Sequence, residues 1–79
     1  MNKYELLKQY KKDGLLDNVE IWLSSGYWLK PTKNTILFYN EELDIIMFTN
    51  IYVNNKKNFS TFFDKRHHIE SKEILRIDI

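Results

Sequence analysis

The residues best equipped for chemistry stand together late in the chain, in the run Asp64-Lys65-Arg66-His67-His68-Ile69-Glu70. Two imidazoles and two carboxylates are ligand types that hold a divalent metal. In an extended segment, however, neighbouring side chains point to opposite faces, so His68 and Glu70 share a side that His67 does not reach. The spacing matches no common ligand set, which leaves a solvated charged loop as the first reading and a basic contact with a partner as the second.

Nucleophilic catalysis finds less support. There is no Cys, and Ser24, Ser25, Ser60 and Ser71 stand in no elbow or triad context. Gly14 and Gly26 are the only glycines, too few for a phosphate-cradling loop. Glu41-Glu42 falls in an apparent turn, where burial does not tune a carboxyl pKa. A chain lacking all of these motifs is expected to be no enzyme, to hold no metal or cofactor, and to act by binding.

Two stretches offer binding surfaces. From Asn54 onward Lys56, Lys57, Lys65, Arg66, Lys72 and Arg76 interleave with Phe59, Phe62, Phe63 and the two histidines. That mixture suits stacking on bases and contact with phosphates of single-stranded nucleic acid; the plainer reading puts the phenylalanines in the core and the lysines in solvated loops. The second stretch is VEIWLSSGYWLK, Val19 to Lys30, where Trp22 falls opposite the Val19-Ile21-Leu23 face. Trp22 therefore either packs beneath a helix or, with Tyr27 and Trp28, forms an aromatic anchor for a partner. Twelve aromatics carry roughly 1,800 to 3,000 Å² of surface that prefers burial, more than a narrow core accepts, so some must lie on an outer face.

The elements that would position these groups follow from periodicity. Asn2 and Glu5 have capping-box spacing, Leu6, Leu7 and Tyr10 share a face, and Gly14 suits the left-handed residue past a helix end, which predicts a helix over 3–13. After Asp17-Asn18 the period changes to 2. Strands are predicted at 19–24, 27–30, 35–39, 43–53, 59–63 and 74–79, with a Ser24-Ser25-Gly26 hairpin, a strand end at Pro31, a loop at Thr32 to Asn34 and another at Asn54 to Asn58. The pattern is α+β: an N-terminal helix followed by a five- or six-stranded antiparallel small barrel, in one domain over 1–79.

At 79 residues the chain buries only about 60 to 65% of its unfolded surface, so its stability margin is thin. Without Cys a disulfide-stapled module is excluded, and a reducing cytoplasm is the expected compartment. No apolar run approaches the roughly 18 residues needed to span a bilayer, so no membrane role is expected. Twelve Lys and Arg against eleven Asp and Glu exclude attachment to nucleic acid by overall field, and any basic surface must be local. Ten Lys, nine Ile, eight Asn and no Ala are the bias of an AT-rich genome, as in many Firmicutes and their phages.

The order of elements resembles the Sm-like barrels of the Hfq type, in which an amphipathic helix leads into a strand of the form V-x-V-x-L-x-x-G-x-x-L. Val19, Ile21, Leu23, Gly26 and Leu29 match that form, Phe38-Tyr39-Asn40 is similar to the family's Phe-Asp-Asn turn, and KEILRI is similar to its last strand. Pro31 stands where the family has glycine, and Tyr39 where it has Asp. The YolD-like proteins of Firmicutes are another small-barrel resemblance. The likeness implies an SH3-like or Sm-like barrel, a cytoplasmic homo-oligomer paired strand to strand, and RNA bound near Phe38, Tyr39, Lys65, Arg66, His67 and His68. A competing expectation is a phage- or mobile-element-encoded inhibitor that binds a host protein through Trp22, Tyr27 and Trp28. The partner is thus RNA or a host protein.

Overall fold

The computed structural model describes residues 2–57 and 59–79. Helix α1 spans Lys3–Lys12. Asn2 is its N-cap, with Oδ1 accepting the Glu5 N–H at 2.8 Å. At the other end the Gly14 N–H meets the Lys11 carbonyl and the Leu15 N–H meets the Tyr10 carbonyl, with Gly14 at φ +72°. Those two bonds satisfy last-turn carbonyls, and only a residue at ease in the left-handed region makes them cheaply.

Among the described residues six strands follow: β1 Glu20–Leu23, β2 Trp28–Asn40, β3 Ile45–Asn54, β4 Ser60–Phe63, β5 His67–Glu70 and β6 Ile74–Asp78. Every pairing is antiparallel, and the sheet runs β4-β3-β2-β1-β6, with β5 beside the first half of β3 and β4 beside its second half. The molecule is α+β, as the alternation predicts. Among the described residues no ladder joins β4 to β6, so the sheet path has two ends. A 3₁₀ turn, Ser71–Glu73, links β5 to β6; the Ser71 N–H reaches the Asp44 carbonyl and the Ser24 N–H reaches the Glu73 carbonyl, drawing the flanks together.

Two expectations about the strands are corrected. The strands predicted at 27–30 and 35–39, with an end at Pro31 and a loop at Thr32 to Asn34, are one strand of 13 residues. Pro31 remains in the ladder opposite Ile51, at the point where the register breaks; the next paired residues are Ile36 and Thr49. Side chains take over in the gap. Thr35 Oγ1 donates to the Asn50 carbonyl at 2.6 Å and accepts the Thr32 N–H at 2.8 Å, while Asn50 Nδ2 donates to the Asn34 carbonyl. Asn50 opposes four residues from a left-handed φ of +56°, so this is a special bulge, larger than the usual two against one, that interrupts the ladder without ending the strand.

The second correction concerns the charged segment at 64–70, expected as a loop, which contains β5. His67 to Glu70 pair with Phe48 to Ile45 although only Ile69 among them is aliphatic. A tertiary ladder makes this strand, and no local alternation announces it. The remaining boundaries shift by a residue or two: β3 starts at Ile45 because Asp44, at φ +51°, belongs to the turn, and the loop after β3 begins at Asn55, with Asn58 outside the described residues.

The core gathers Leu7, Leu16, Val19, Ile21, Leu23, Leu29, Ile46, Phe48, Ile51, Val53, Ile69 and Ile74. Val19, Ile21 and Leu23 face inward as the alternation requires. Helix α1 closes this cluster through the fully buried Leu7, and Lys3 pins it by donating to the Ser71 and Ile74 carbonyls at 2.9 Å each. The helix therefore covers the inward face of the sheet and leaves the Trp22 face to other groups.

Candidate nucleic-acid interface

Opposite the core, cross-strand register sets side chains in rows. Arg76, Trp22, Trp28 and Asn54 stand side by side across β6, β1, β2 and β3. The Trp22 and Trp28 rings stack with centroids 5.4 Å apart, and the Arg76 guanidinium lies 4.8 Å from the Trp22 ring centre. Cation over indole is electrostatically favourable, and both tryptophans are half-buried. The Trp22 Nε1 is buried with no hydrogen-bond partner among the described residues.

The adjacent row holds Lys30, Tyr52 and Phe62. Tyr52 and Phe62 sit 4.8 Å apart in a tilted pair and are 41% and 47% exposed, so a large part of each ring faces solvent. Lys30 is not free to meet a ligand: its ammonium donates to the Asp17 and Val19 carbonyls.

Around the bend, Phe38, Met47 and His68 align on the same outer face. Arg66 sets its guanidinium 4.3 Å from the Phe38 ring centre. Of the six residues expected near RNA, the fold thus brings Phe38, Arg66 and His68 together, with exposed Lys65 beside them in the chain. Tyr39 and His67 point the other way. Tyr39 stacks on Tyr4 at 4.6 Å and donates its hydroxyl to Asp44 at 2.6 Å; that bond, then burial and the nearby carboxylates, push its pKa up to about 12. His67 packs 4.8 Å from the Phe63 ring, and burial, helped by the charge of His68, holds its pKa below the ordinary value. Among the described residues no three His, Cys, Asp or Glu are placed to hold a metal.

Of the expected partner surface, Trp22 and Trp28 form the stacked pair, while Tyr27 stands half exposed at the hairpin tip beside Lys56 and Lys57. The sequence reading missed Tyr52 and the pairing of Arg76 with Trp22. One signal in the sequence points to this face. No carboxylate occurs between Glu20 and Glu41, nor between Asp44 and Asp64, so all of β2, β3 and β4 is free of acidic side chains. A near-neutral chain thus keeps its acids away from one group of adjacent strands.

Comparison of the chain with protein-family models, with curated proteins and with solved structures finds no match. What this face can bind therefore follows from its own chemistry. Among the described residues no helix is long and apolar enough to cross a membrane.

Proposed function

We propose that this chain is a small barrel of the Sm-like or SH3-like kind that performs no catalysis and binds single-stranded RNA along the outer face of β2, β3 and β4. The strand order, with β5 and β6 joined by a single 3₁₀ turn across the two flanks, supports the barrel. One observation carries the function: the solvent-facing rings Tyr52 and Phe62 lie on strands without a single carboxylate, next to the Trp22–Trp28 stack. Bases stack on such rings for about 1–3 kcal/mol each whatever their identity, and Lys33, Lys56, Lys57 and Arg66 at the margins meet the phosphates. Phe38 under Arg66 extends the same surface around the bend. The outer edges of β4 and β6, unpaired among the described residues, support a homo-oligomer assembled by strand pairing.

The test is fluorescence anisotropy of labelled oligouridine and oligoadenine at low salt, with Tyr52→Ala and Phe62→Ala combined. Wild-type binding that the double variant weakens at least tenfold supports the reading. Absence of binding at low salt sinks it, as does stoichiometric capture of one host protein that Trp22→Ala and Trp28→Ala abolish, since that outcome describes an inhibitor.

A further inference from the structure

One residue beyond the Trp28–Asn54 pair, both hairpins reach their tips, and a cleft of about 300 Å³ opens between them. Ser25, Tyr27, Asn55, Lys56 and Lys57 line it. Its shape is held by the chain. Asn55 Oδ1 accepts the N–H groups of Lys57 at 2.9 Å and Phe59 at 3.2 Å, and the Asn55 N–H returns to the Phe59 carbonyl, which fixes the β3–β4 turn. On the facing wall Gly26, at φ +91°, leaves room for the Lys56 stem: a Cβ there would lie 2.6 Å from Lys56 Cε.

The chemistry of the lining is one-sided. Lys3, Lys11 and Lys30 spend their ammonium groups on backbone carbonyls. Lys56 and Lys57 make no ion pair or side-chain hydrogen bond among the described residues, and no carboxylate lines the cleft. Two adjacent cations beside a half-exposed phenol ring select a ligand with concentrated negative charge and a flat face. The volume is at the small end for a binding pocket and suits a single nucleotide.

Resting on the RNA-binding reading above, we infer that this cleft seats the terminal nucleotide of the bound strand, its phosphomonoester between Lys56 and Lys57 and its base against Tyr27. Position and charge both favour a chain end. The cleft lies past the last paired residues of the stacking face, where a strand crossing that face runs out. A terminal phosphomonoester, with a second pKa of about 6, carries nearly two charges at neutral pH where an internal diester carries one, and two lysines match the dianion.

The experiment compares internally labelled oligouridines bearing a 5′-phosphate, a 3′-phosphate or hydroxyls at both ends. One phosphorylated form is expected to bind about three- to tenfold tighter than the hydroxyl form at low salt, as two exposed charge pairs allow. That preference should vanish in Lys56→Gln combined with Lys57→Gln, shrink in Tyr27→Ala, and fade below pH about 6 as the phosphate loses its second charge. Equal affinity for all three oligomers, or a preference that survives the double lysine change, overturns the seat while leaving RNA binding intact. Failure of every oligomer to bind removes the RNA reading and the seat with it. Free uridine monophosphate that displaces the phosphorylated and hydroxyl oligomers equally also overturns the assignment, because the cleft would then not distinguish strand ends.

Discussion

Thr35 donates its hydroxyl to the Asn50 carbonyl at 2.6 Å, across the point where β2 and β3 fall out of register. Thr35 is fully buried, and the same oxygen accepts the Thr32 N–H, so one side chain replaces two missing ladder bonds. Thr35→Val keeps the shape and deletes both bonds. We expect a loss of about 1–2 kcal/mol, seen as a lower urea midpoint at unchanged slope, because the part-buried Thr32 N–H loses its partner and the Asn50 carbonyl keeps only the longer bond from the Thr32 hydroxyl at 3.3 Å. Thr35→Ser, which keeps the oxygen, should lose less; equal midpoints for Val and wild type would show that the bulge does not depend on this bond.

Leu7 and Leu6 divide the work of helix docking unequally. Leu7 has no exposed surface and belongs to the core, whereas Leu6 is half-buried. Leu7→Ala should cost about 2–5 kcal/mol and Leu6→Ala clearly less. Thermal or chemical denaturation decides it, and a reversed order would mean that α1 docks through a different face.

His67 gives the fold an acid-sensitive point. Its folded pKa lies below 6.5, chiefly through burial and then through the charge of His68, with Glu73 partly offsetting both. Above that value both folded and unfolded forms are neutral and stability is complete. As pH falls from 6.5 through the depressed folded value, the unfolded chain takes the proton first and stability declines. His67→Gln should flatten the decline measured by urea midpoints between pH about 7.5 and about 5, and His68→Gln should reduce it only in part. A decline of full size in His67→Gln would place the titration elsewhere.

How much of this was legible in the sequence depended on whether local chemistry or distant pairing makes each element. Asn2, Gly14 and the Val19-Ile21-Leu23 alternation act through neighbours in the chain, and the helix and first hairpin stand where those residues put them. Strand β5 exists because Ile45 to Phe48 offer it an edge, and residues as polar as His67, His68 and Glu70 advertise no strand. Pro31 misled because a missing donor ends a regular ladder, yet here it stands where the ladder is already interrupted and Thr35 supplies the bonds.

The candidate face divides in the same way. Alternation placed Trp22 opposite the core, but pairing it with Arg76 required the β1–β6 register, which no local pattern contains. The run from Asp64 to Glu70 reads as one charged loop, and the pleat then splits it, sending His68 outward and His67 toward Phe63. Absence of carboxylates over three adjacent strands was readable all along, but it gains meaning only once those strands are known to be neighbours.

The two glycines separate strain from crowding. Gly14 and Gly26 both adopt positive φ, so alanine at either should cost about 1–2 kcal/mol from backbone strain. Around Gly14 an added Cβ meets nothing within 4 Å, whereas at Gly26 it meets the Lys56 stem at 2.6 Å. Because that contact is the far end of a flexible side chain, Lys56 swings away and the extra stability cost is small. The displaced ammonium is the larger consequence. Gly26→Ala should therefore match Gly14→Ala in denaturation midpoint within error yet lose much of the preference for a terminally phosphorylated oligomer, which Gly14→Ala retains. If both variants keep that preference, the Lys56 ammonium does not act from its place over Gly26.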